Sequence, residues 1–344
     1  MVCGSLNERS TTPTLVWTAR RERRYHSRVH VALVSHYRLP VRKYGGTERV
    51  VVALARGLAA LGHRVTLVAA PGTQVPEASV IEIPPDVVTS HDLDLASIVP
   101  RDVDVIHVQF LAGRRPSRPF LQTMYGEGPA GYIASPDTVL QSQKHARHQG
   151  SEIFVYNGLD PADFQFRSQK DDYDLFLGRL HRVKGYRWAI KGARMAKRRL
   201  ILVGGWRPTL RPGIKFIGTV DESEKVALLA GARCLWVPAL WEEHFGLTTI
   251  EALFSGTPVL GTRRGALPEL VTPEVGALCD TLEDMVAAVA TIDTRSAETC
   301  RAHAVKYFSH LAMAEGYVRM YKTLLETGKL PPGIPTPYAP TPNP

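Results

Sequence analysis

The chain has 344 residues, of which 44% are hydrophobic, and its 42 Lys and Arg against 33 Asp and Glu give a formal net charge of +9. This composition excludes a mainly disordered chain and is sufficient for two domains of ordinary size. No window approaches the roughly 18 to 20 apolar residues of a membrane span, and residues 1–30 lack the apolar segment of a secretory signal, so we expect a cytoplasmic protein with at most peripheral membrane contact.

The cysteines and the basic N-terminus further limit the kinds of protein this chain can be. Cys3, Cys234, Cys279 and Cys300 are widely spaced and form no C-x-x-C pair, so we expect no disulfide framework, structural metal or redox role. Residues 1–28 are basic by four charges and have little apolar patterning. They predict a disordered arm, or upstream sequence included by a wrong start codon. Because nearly half of the excess charge lies in this arm, we expect no nucleic-acid binding.

The first predicted unit begins with a buried strand at residues 29–34 and continues with a helix at 50–61 and a strand at 65–69. A glycine pair, Gly45 and Gly46, precedes the helix. Neither glycine has a side chain, so backbone amides could approach a bound phosphate or sugar there. Because turns also use glycine pairs, the pair alone does not distinguish a binding loop from an ordinary turn.

Three further strands, at residues 104–108, 120–124 and 153–156, complete the first unit. His107 lies near the carboxyl end of the first of these strands. A histidine in that position can be structural or chemical, and we include it among the candidate catalytic residues. The polar residues at 167–174 indicate a linker to a second unit.

The second unit begins with a strand at residues 175–177 and a loop that carries two cations. Arg179 and Lys184 lie five residues apart, so both charged groups can reach one anion at the N-terminus of the helix that follows. Gly178 precedes them, and Gly204 ends the next strand. The loop suits a leaving diphosphate, although a solvated basic loop would have the same composition.

A strand, loop, helix and strand between residues 234 and 270 carry the strongest functional signal. The helix begins near Gly246, and its first amides are unpaired donors that suit an anion. Glu243 and Glu251 are separated by seven residues, one in the loop and the other about one turn into the helix. Acidic side chains beside an anion-binding site repel the bound anion, so they are unfavourable there unless they accept hydrogen bonds from neutral hydroxyls, as on a ribose or a hexose. The segment therefore predicts a ligand with phosphate and sugar hydroxyls, and a surface acid pair around a core helix is the alternative.

The end of the chain has the pattern of a packing element followed by a tail. Apolar and aromatic residues recur at helical intervals within residues 295–327, which predicts helix packed against the core. Residues 330–344 are proline-rich and lack a core pattern, so we expect an extended tail.

These motifs resemble those of a known family. The runs YGGTE at 44–48, GRLHRVKG at 178–185 and EHFGLTTIEA at 243–252 are similar to the glycine-rich loop, the cationic loop and the E-x7-E signature of family-4 retaining glycosyltransferases. The resemblance implies an α/β fold with two Rossmann-like domains facing across a cleft, the GT-B type. The implied segments are a disordered basic arm at 1–28, an acceptor-side domain at 29–162, a nucleotide-sugar-binding domain at 163–310, a helix crossing back to the first domain at 311–328 and a proline-rich tail at 329–344.

The resemblance also implies a reaction, in which a sugar moves with retention from a nucleotide-diphosphate sugar to an acceptor hydroxyl, without a metal or other cofactor. A UDP-sugar is favoured over a GDP- or ADP-sugar. Arg179 and Lys184 would stabilise the leaving diphosphate, while Glu243 would bind the transferred sugar and Glu251 the ribose. The implied catalytic residues are Arg179, Lys184, Glu243 and His107, and the implied donor-binding residues are Gly45, Gly46, Gly178, Gly204, His244, Phe245, Gly246, Leu247, Thr248 and Glu251.

The sequence departs from the family pattern at two places. Gln109 stands where a second histidine is common, and Tyr125-Gly126-Glu127 stands where many relatives have a Thr-His-Gly that helps to position the donor sugar and the acceptor. The acceptor, the sugar, the nucleotide, the linkage and the oligomeric state therefore stay open.

Three other functions compete with this interpretation. A catalytically silent nucleotide-sugar-binding protein of the same fold would keep the same cleft. A retaining glycosidase would need two carboxyl groups about 5 to 5.5 Å apart and would have no use for the cationic loop. A dinucleotide-dependent oxidoreductase would need a G-x-G-x-x-G run after the first strand of a domain, which the sequence lacks.

Overall fold

The computed structural model describes residues 28–41, 45–128 and 131–339. The predicted basic arm, apart from Arg28, lies outside the described residues. Tyr44 of the glycine-rich loop and the last five residues of the tail lie outside them as well.

The first unit is a six-stranded sheet in which every pair of neighbouring strands is parallel, in the order β3-β2-β1-β4-β5-β6. Its central strands are buried on both faces, which explains their continuous apolar runs. The elements are β1 (His30–Val34), α1 (Gly46–Ala60), β2 (Arg64–Ala69), β3 (Ser79–Glu82), α2 (Pro85–Val88), β4 (Val105–Val108), β5 (Phe120–Thr123), β6 (Thr138–Val139) and α3 (Gln143–His148).

The second unit repeats this topology with a second parallel sheet, in the order β12-β11-β10-β7-β8-β9. The strand order reverses between β1 and β4 in one sheet and between β7 and β10 in the other, and ligands of such sheets bind outside the carboxyl ends of the strands at that point. The predicted pair of doubly wound α/β units is confirmed. The elements are β7 (Asp174–Leu177), α4 (Tyr186–Met195), β8 (Leu200–Val203), β9 (Ile214–Phe216), α5 (Glu222–Gly231), β10 (Leu235–Val237), α6 (Leu247–Phe254), β11 (Val259–Thr262), α7 (Leu267–Leu270), β12 (Gly276–Cys279) and α8 (Leu282–Val289).

Two helices, α9 (Ala297–Phe308) and α10 (His310–Thr327), occupy the segment whose apolar spacing predicts helix. Ser309 interrupts it in an extended conformation, and its hydroxyl accepts a hydrogen bond from the amide of Ala312 at 3.2 Å. This N-cap starts a new helix, and α10 then packs against α1 of the first unit. Residues 153–156 also differ from the prediction, because they form only an isolated bridge between Phe154 and Leu140 instead of a strand.

The tail has no regular secondary structure at residues 330–336 and forms a turn at 337–339, and it is packed against both units. Thr336 is buried, its hydroxyl donates to the carbonyl oxygen of Glu269 at 2.9 Å, and its amide donates to the hydroxyl of Tyr156 at 3.3 Å. The amide of Gly333 donates to the carbonyl oxygen of Glu152 at 2.8 Å. The amides of Gly333 and Thr336 are therefore satisfied by the body of the protein, and the tail links a loop of the first unit to α7 of the second.

Deleting residues 331–344 should lower the melting temperature by roughly 3–6 °C, because four hydrogen bonds worth about 1 kcal/mol each are lost, including one from Arg319 to the carbonyl oxygen of Pro332. Differential scanning fluorimetry measures the change. Deleting only residues 340–344 leaves these bonds in place and should have no effect. Equal melting temperatures for the long deletion and the full chain would contradict a stabilising role of the tail.

Candidate functional site

A cleft lies between the two units at the carboxyl ends of both sheets, with a cavity volume of about 430 Å³. This volume is within the range of small-molecule sites. The first unit contributes the start of α1 and the loops after β5 and β6, and the second contributes the loops after β7 and β10. This larger compartment is lined by polar side chains and by glycines, whose backbone is uncovered. These residues are Gly46, Thr47, Tyr125, Gln141, Asn157, Gly178, Arg179, Lys184, Trp241, Glu243, His244, Gly246 and Thr248.

A smaller compartment of about 120 Å³ adjoins the cleft. The two compartments share Gly46, Gly178, Leu247 and Thr248 in their walls, so they are direct neighbours. The remaining polar walls of the smaller compartment are Arg49, Thr219, Asp221, Glu222, Lys225 and Glu251, together with Gly45 and Gly204.

The cationic loop runs from β7 into α4 and is shaped by its glycines. Gly185 has a φ of +73°, and a Cβ atom there would lie 1.7 Å from the carbonyl oxygen of Pro238, so only glycine fits. Lys184 precedes it and places its Nζ 2.6 Å from Oε2 of Glu243 and 4.6 Å from the ring centroid of Trp241. Arg179 is exposed in the cleft and makes no salt bridge with any described residue. The structure therefore brings both predicted cations to one wall of the larger compartment.

Helix α6 begins on the same wall. Gly246 is its N-cap, with a φ of +97° that favours glycine, and no side chain caps the first turn. Leu247 and Thr248 follow and line both compartments. Amides of the first helical turn are available to an anion here, on the same wall as the cationic loop.

The two predicted acids lie in different compartments, and each is paired with cations. Glu243, in the larger compartment, accepts hydrogen bonds from Lys184 and from the indole nitrogen of Trp241 at 3.1 Å. Glu251, in the smaller one, is buried and contacts the guanidinium of Arg49, and its Oε1 lies 3.4 Å from Nζ of Lys225. Burial alone would raise the pKa of Glu251, but the charges of these two cations hold the pKa below its usual value. Glu251 is therefore ionised at neutral pH.

His244 and Phe245 lie between the cleft and the contact of the two units. The His244 ring stacks on His145 of α3 with centroids 4.4 Å apart, and its carbonyl oxygen accepts a hydrogen bond from the hydroxyl of Ser142 at 2.7 Å. Phe245 borders the cleft but is almost entirely buried and packs on Tyr156. Both residues thus fix the loop before α6 against the first unit.

His107 does not reach the site. It is fully buried, and its two ring nitrogens are paired with the hydroxyls of Tyr321 and Thr123, each at 2.7 Å. Neither compartment has His107 in its wall. The catalytic role predicted from its strand-end position is therefore corrected: because the last helix covers that end of β4, His107 anchors α10 to the first sheet.

Stability should fall as the pH drops below about 6.5, because burial lowers the pKa of His107 to about 3 and the unfolded chain then binds a proton that the folded chain excludes. The loss per group is about 1.4 kcal/mol per pH unit between these two pKa values. His107→Gln should make this decline shallower by that amount and leave turnover within a few-fold of wild type. Urea denaturation at pH 7, 6 and 5 measures the slopes, and parallel declines would contradict the assignment.

The two departures from the family pattern meet in the structure. The Tyr125 hydroxyl donates to Oε1 of Gln109 at 2.7 Å, and Tyr125 lines the larger compartment. Tyr125 belongs to the wall of the cleft that the first unit contributes, and Gln109 is buried behind it. Gln109 thus stands where the family pattern has a histidine, and its partner Tyr125 begins the run that replaces the Thr-His-Gly of many relatives.

Several functional candidates have no signature in the sequence. Arg49 and Lys225 approach Glu251 from two different helices, and their contact depends on how the units face each other. Glu269 also has no signature in the sequence. It is buried and accepts hydrogen bonds from the amides of Gln143 and Lys144 at 2.9 and 2.7 Å. The sequence gives one indication of a role for Arg49, which is its position about one helical turn after the glycine pair.

Metal binding and membrane crossing were the other properties considered in the sequence, and the described residues offer neither a metal cluster nor a spanning helix. No three His, Cys, Asp or Glu side chains come together there in a way that could hold a metal ion. Among the described helices, none combines the length and the apolar character that crossing a membrane requires.

Two family descriptions match separate parts of the chain. "Glycosyltransferase Family 4" matches residues 44–155, in the first unit, and "Glycosyl transferases group 1" matches residues 173–294, in the second. The matched segments contain the glycine pair, the cationic loop and both acids, so they cover the walls of the cleft from both sides.

Known structures and proteins are similar over much of the chain. AviGT4, a glycosyltransferase involved in avilamycin A biosynthesis, superimposes with a TM-score of 0.71 and 26% identity over 88% of this chain and 100% of that one. Anabaena Alr3699/HepE in complex with UDP-glucose gives a TM-score of 0.57 and 17% identity over 83% and 97%. O-antigen chain mannosyltransferase C of Escherichia coli is 24% identical over 56% of this chain and 60% of that protein. The chain spans about half the length of the curated relatives it matches, 46% in one case and 60% in another.

Proposed function

The chain belongs to the family-4 glycosyltransferases and has their GT-B fold, and from this premise we propose that it transfers a sugar, with retention, from a nucleoside diphosphate sugar to an acceptor hydroxyl. One observation carries the proposal. Arg179, Lys184 and the N-terminus of α6 converge on one wall of a cleft that is large enough for such a donor.

The charges of this wall suit the leaving group. As the anomeric bond stretches, negative charge develops on the diphosphate, and donors already in place lower the barrier most effectively. In the proposed complex the phosphates lie between the α6 amides and Lys184, which then exchanges part of its contact with Glu243 for a phosphate oxygen. Arg179 supplies a second, planar donor group.

The two compartments suggest how the donor is oriented. The transferred sugar and the diphosphate would occupy the larger compartment, where Glu243 accepts hydrogen bonds from sugar hydroxyls. The nucleoside would occupy the smaller compartment, with its ribose at Glu251. Gly45 and Gly46 would close over the phosphates from the first unit.

We also propose that the transfer is independent of a metal, because two cations and a helix N-terminus supply the positive charge that a metal would otherwise provide at the diphosphate. Turnover should accordingly survive incubation with 5 mM EDTA, to within about twofold. A loss of activity that added Mg²⁺ or Mn²⁺ restores would contradict metal independence.

Two observations bear on the identity of the donor. The sequence analysis favours a UDP-sugar, and a relative of the same fold is known in complex with UDP-glucose. The mannosyltransferase relative from Escherichia coli adds mannose donors to the test set. A thermal-shift panel of UDP-, GDP- and ADP-sugars is expected to show stabilisation by one nucleotide class, and no shift with any of them would contradict the proposal.

A catalytically silent binding protein is the second candidate, and the Tyr125–Gln109 pair in the acceptor-side wall favours it. The active enzyme should hydrolyse its donor slowly even without an acceptor, and Arg179→Ala should abolish this hydrolysis. Donor binding with no hydrolysis by the wild-type protein, and no transfer to any acceptor in a panel of sugars and lipid-linked sugars, would favour the silent protein.

A further inference from the structure

A cluster of four charged side chains joins the two units at the smaller compartment. Arg49 extends from α1 of the first unit to Glu251 on α6, and its guanidinium lies 3.5 Å from Glu222 on α5. Lys225, also on α5, completes the cluster: its Nζ lies 2.6 Å from Glu222 and 3.4 Å from Glu251. Arg49 is the only member that the first unit contributes.

The contacts of Glu251 are unequal between its two oxygens. Arg49 and Lys225 both contact Oε1, whereas Oε2 accepts no hydrogen bond from the described residues. The side chain is only 2% exposed, so its carboxylate has little room to turn. One oxygen is therefore held by cations while the other is left for a ligand in the smaller compartment, which Glu251 lines.

We propose that Arg49 is a positioning residue for the donor: it holds Oε1 of Glu251 from the opposite domain, so that Oε2 can accept a hydrogen bond from the ribose, and thereby couples nucleoside binding to closure of the cleft. The inference rests on the proposed function. Arg49 reaches the carboxylate from the other domain, so any separation of the domains would break this contact, whereas the contact between Lys225 and Glu251 lies within one domain.

If Arg49 instead hindered ribose binding, its removal would change nucleotide affinity in the other direction. If Arg49 competed with the ribose for Glu251, removing it would free the carboxylate and tighten nucleotide binding. A positioning role predicts the reverse, because a buried carboxylate that loses one of two cations is less well ordered and more costly to keep ionised. The sign of the change in affinity therefore separates the two roles.

The test is calorimetric titration of UDP, GDP and ADP into the full-length protein and into Arg49→Ala and Arg49→Gln, the second of which keeps most of the side-chain stem. For the nucleotide that binds the wild type, Kd should rise at least tenfold in both variants, and Arg49→Lys should restore part of the loss. The KM for the donor should rise in parallel, while kcat at saturating donor stays within about threefold. Arg64→Ala, which removes an exposed Arg–Asp pair within the first domain, is the matched control and should bind like the wild type.

Small-angle scattering provides the second readout. Saturating nucleotide should reduce the radius of gyration of the wild type and of Arg64→Ala, and should reduce it less in Arg49→Ala and Arg49→Gln. Unchanged or tighter binding in those two variants, or equal compaction in all proteins, would overturn the inference while leaving the proposed function intact. Failure of UDP, GDP and ADP alike to bind the wild type would overturn both.

Discussion

Replacing Lys184 with alanine is expected to lower kcat by about 10²- to 10³-fold, the usual effect of removing one pre-organised donor at developing negative charge. The lysine head lies in the larger compartment, 27% exposed, within hydrogen-bond distance of Glu243 and over the ring of Trp241. Those contacts fix its position before the donor arrives, so little reorganisation is needed when charge develops on the diphosphate. The loss should therefore appear in kcat more than in the KM for the donor.

The fold should survive this substitution, because Lys184 is partly exposed at the cleft and is not a member of the core. Steady-state kinetics with saturating donor, together with a melting curve for each protein, separates lost turnover from lost folding. Lys191→Ala, on the exposed face of the helix that follows the cationic loop, is the matched control. An unchanged kcat in Lys184→Ala would remove Lys184 from the catalytic residues.

Glu251→Gln should weaken binding of the nucleoside diphosphate by about 10²-fold, since truncating or neutralising one partner of a buried charged pair costs about 2–5 kcal/mol. The glutamine has nearly the same shape but leaves the charges of Arg49 and Lys225 without a buried partner, and it places an amide where the ribose needs a strong acceptor.

The pKa of Glu251 gives this prediction a pH signature. Because the folded-state pKa is held below its ordinary value, the stability that the carboxylate contributes is present above the unfolded pKa and is lost as the pH falls through the folded value. Nucleotide affinity should therefore not depend on this group between pH 6 and 8. Glu283→Gln, on the exposed surface of α8, serves as the control for calorimetry. Equal affinity in Glu251→Gln and the wild type would contradict the ribose-binding role.

Much of the fold was predictable because it depends on local patterns. Apolar runs such as VHVALV become strands buried on both faces, and the loops after them meet at the carboxyl edge of a parallel sheet. For that reason the cationic loop and the start of α6, which are about sixty residues apart in the chain, could be assigned to one wall of a cleft. Gly185 and Gly246 adopt the positive φ values for which glycine is the natural residue.

What the sequence could not predict depends on distant contacts. His107 ends a strand as a catalytic residue would, but the hydroxyl of Tyr321, 214 residues later, covers it. Arg49 contacts Glu251 across 202 residues, and no periodicity encodes that meeting. The tail lacks a core pattern because its amides, more than its side chains, connect it to the body, as the bond from the Thr336 amide illustrates.

The most direct test of a cleft that closes over a diphosphate is a crystal structure with the nucleoside diphosphate that the thermal-shift panel selects. The β-phosphate is expected within about 3 Å of Lys184 Nζ and of an amide in the first turn of α6, with Arg179 beside it and the ribose at Glu251. A nucleotide bound outside the cleft, or a diphosphate more than about 6 Å from both cations, would contradict the proposed role of this wall.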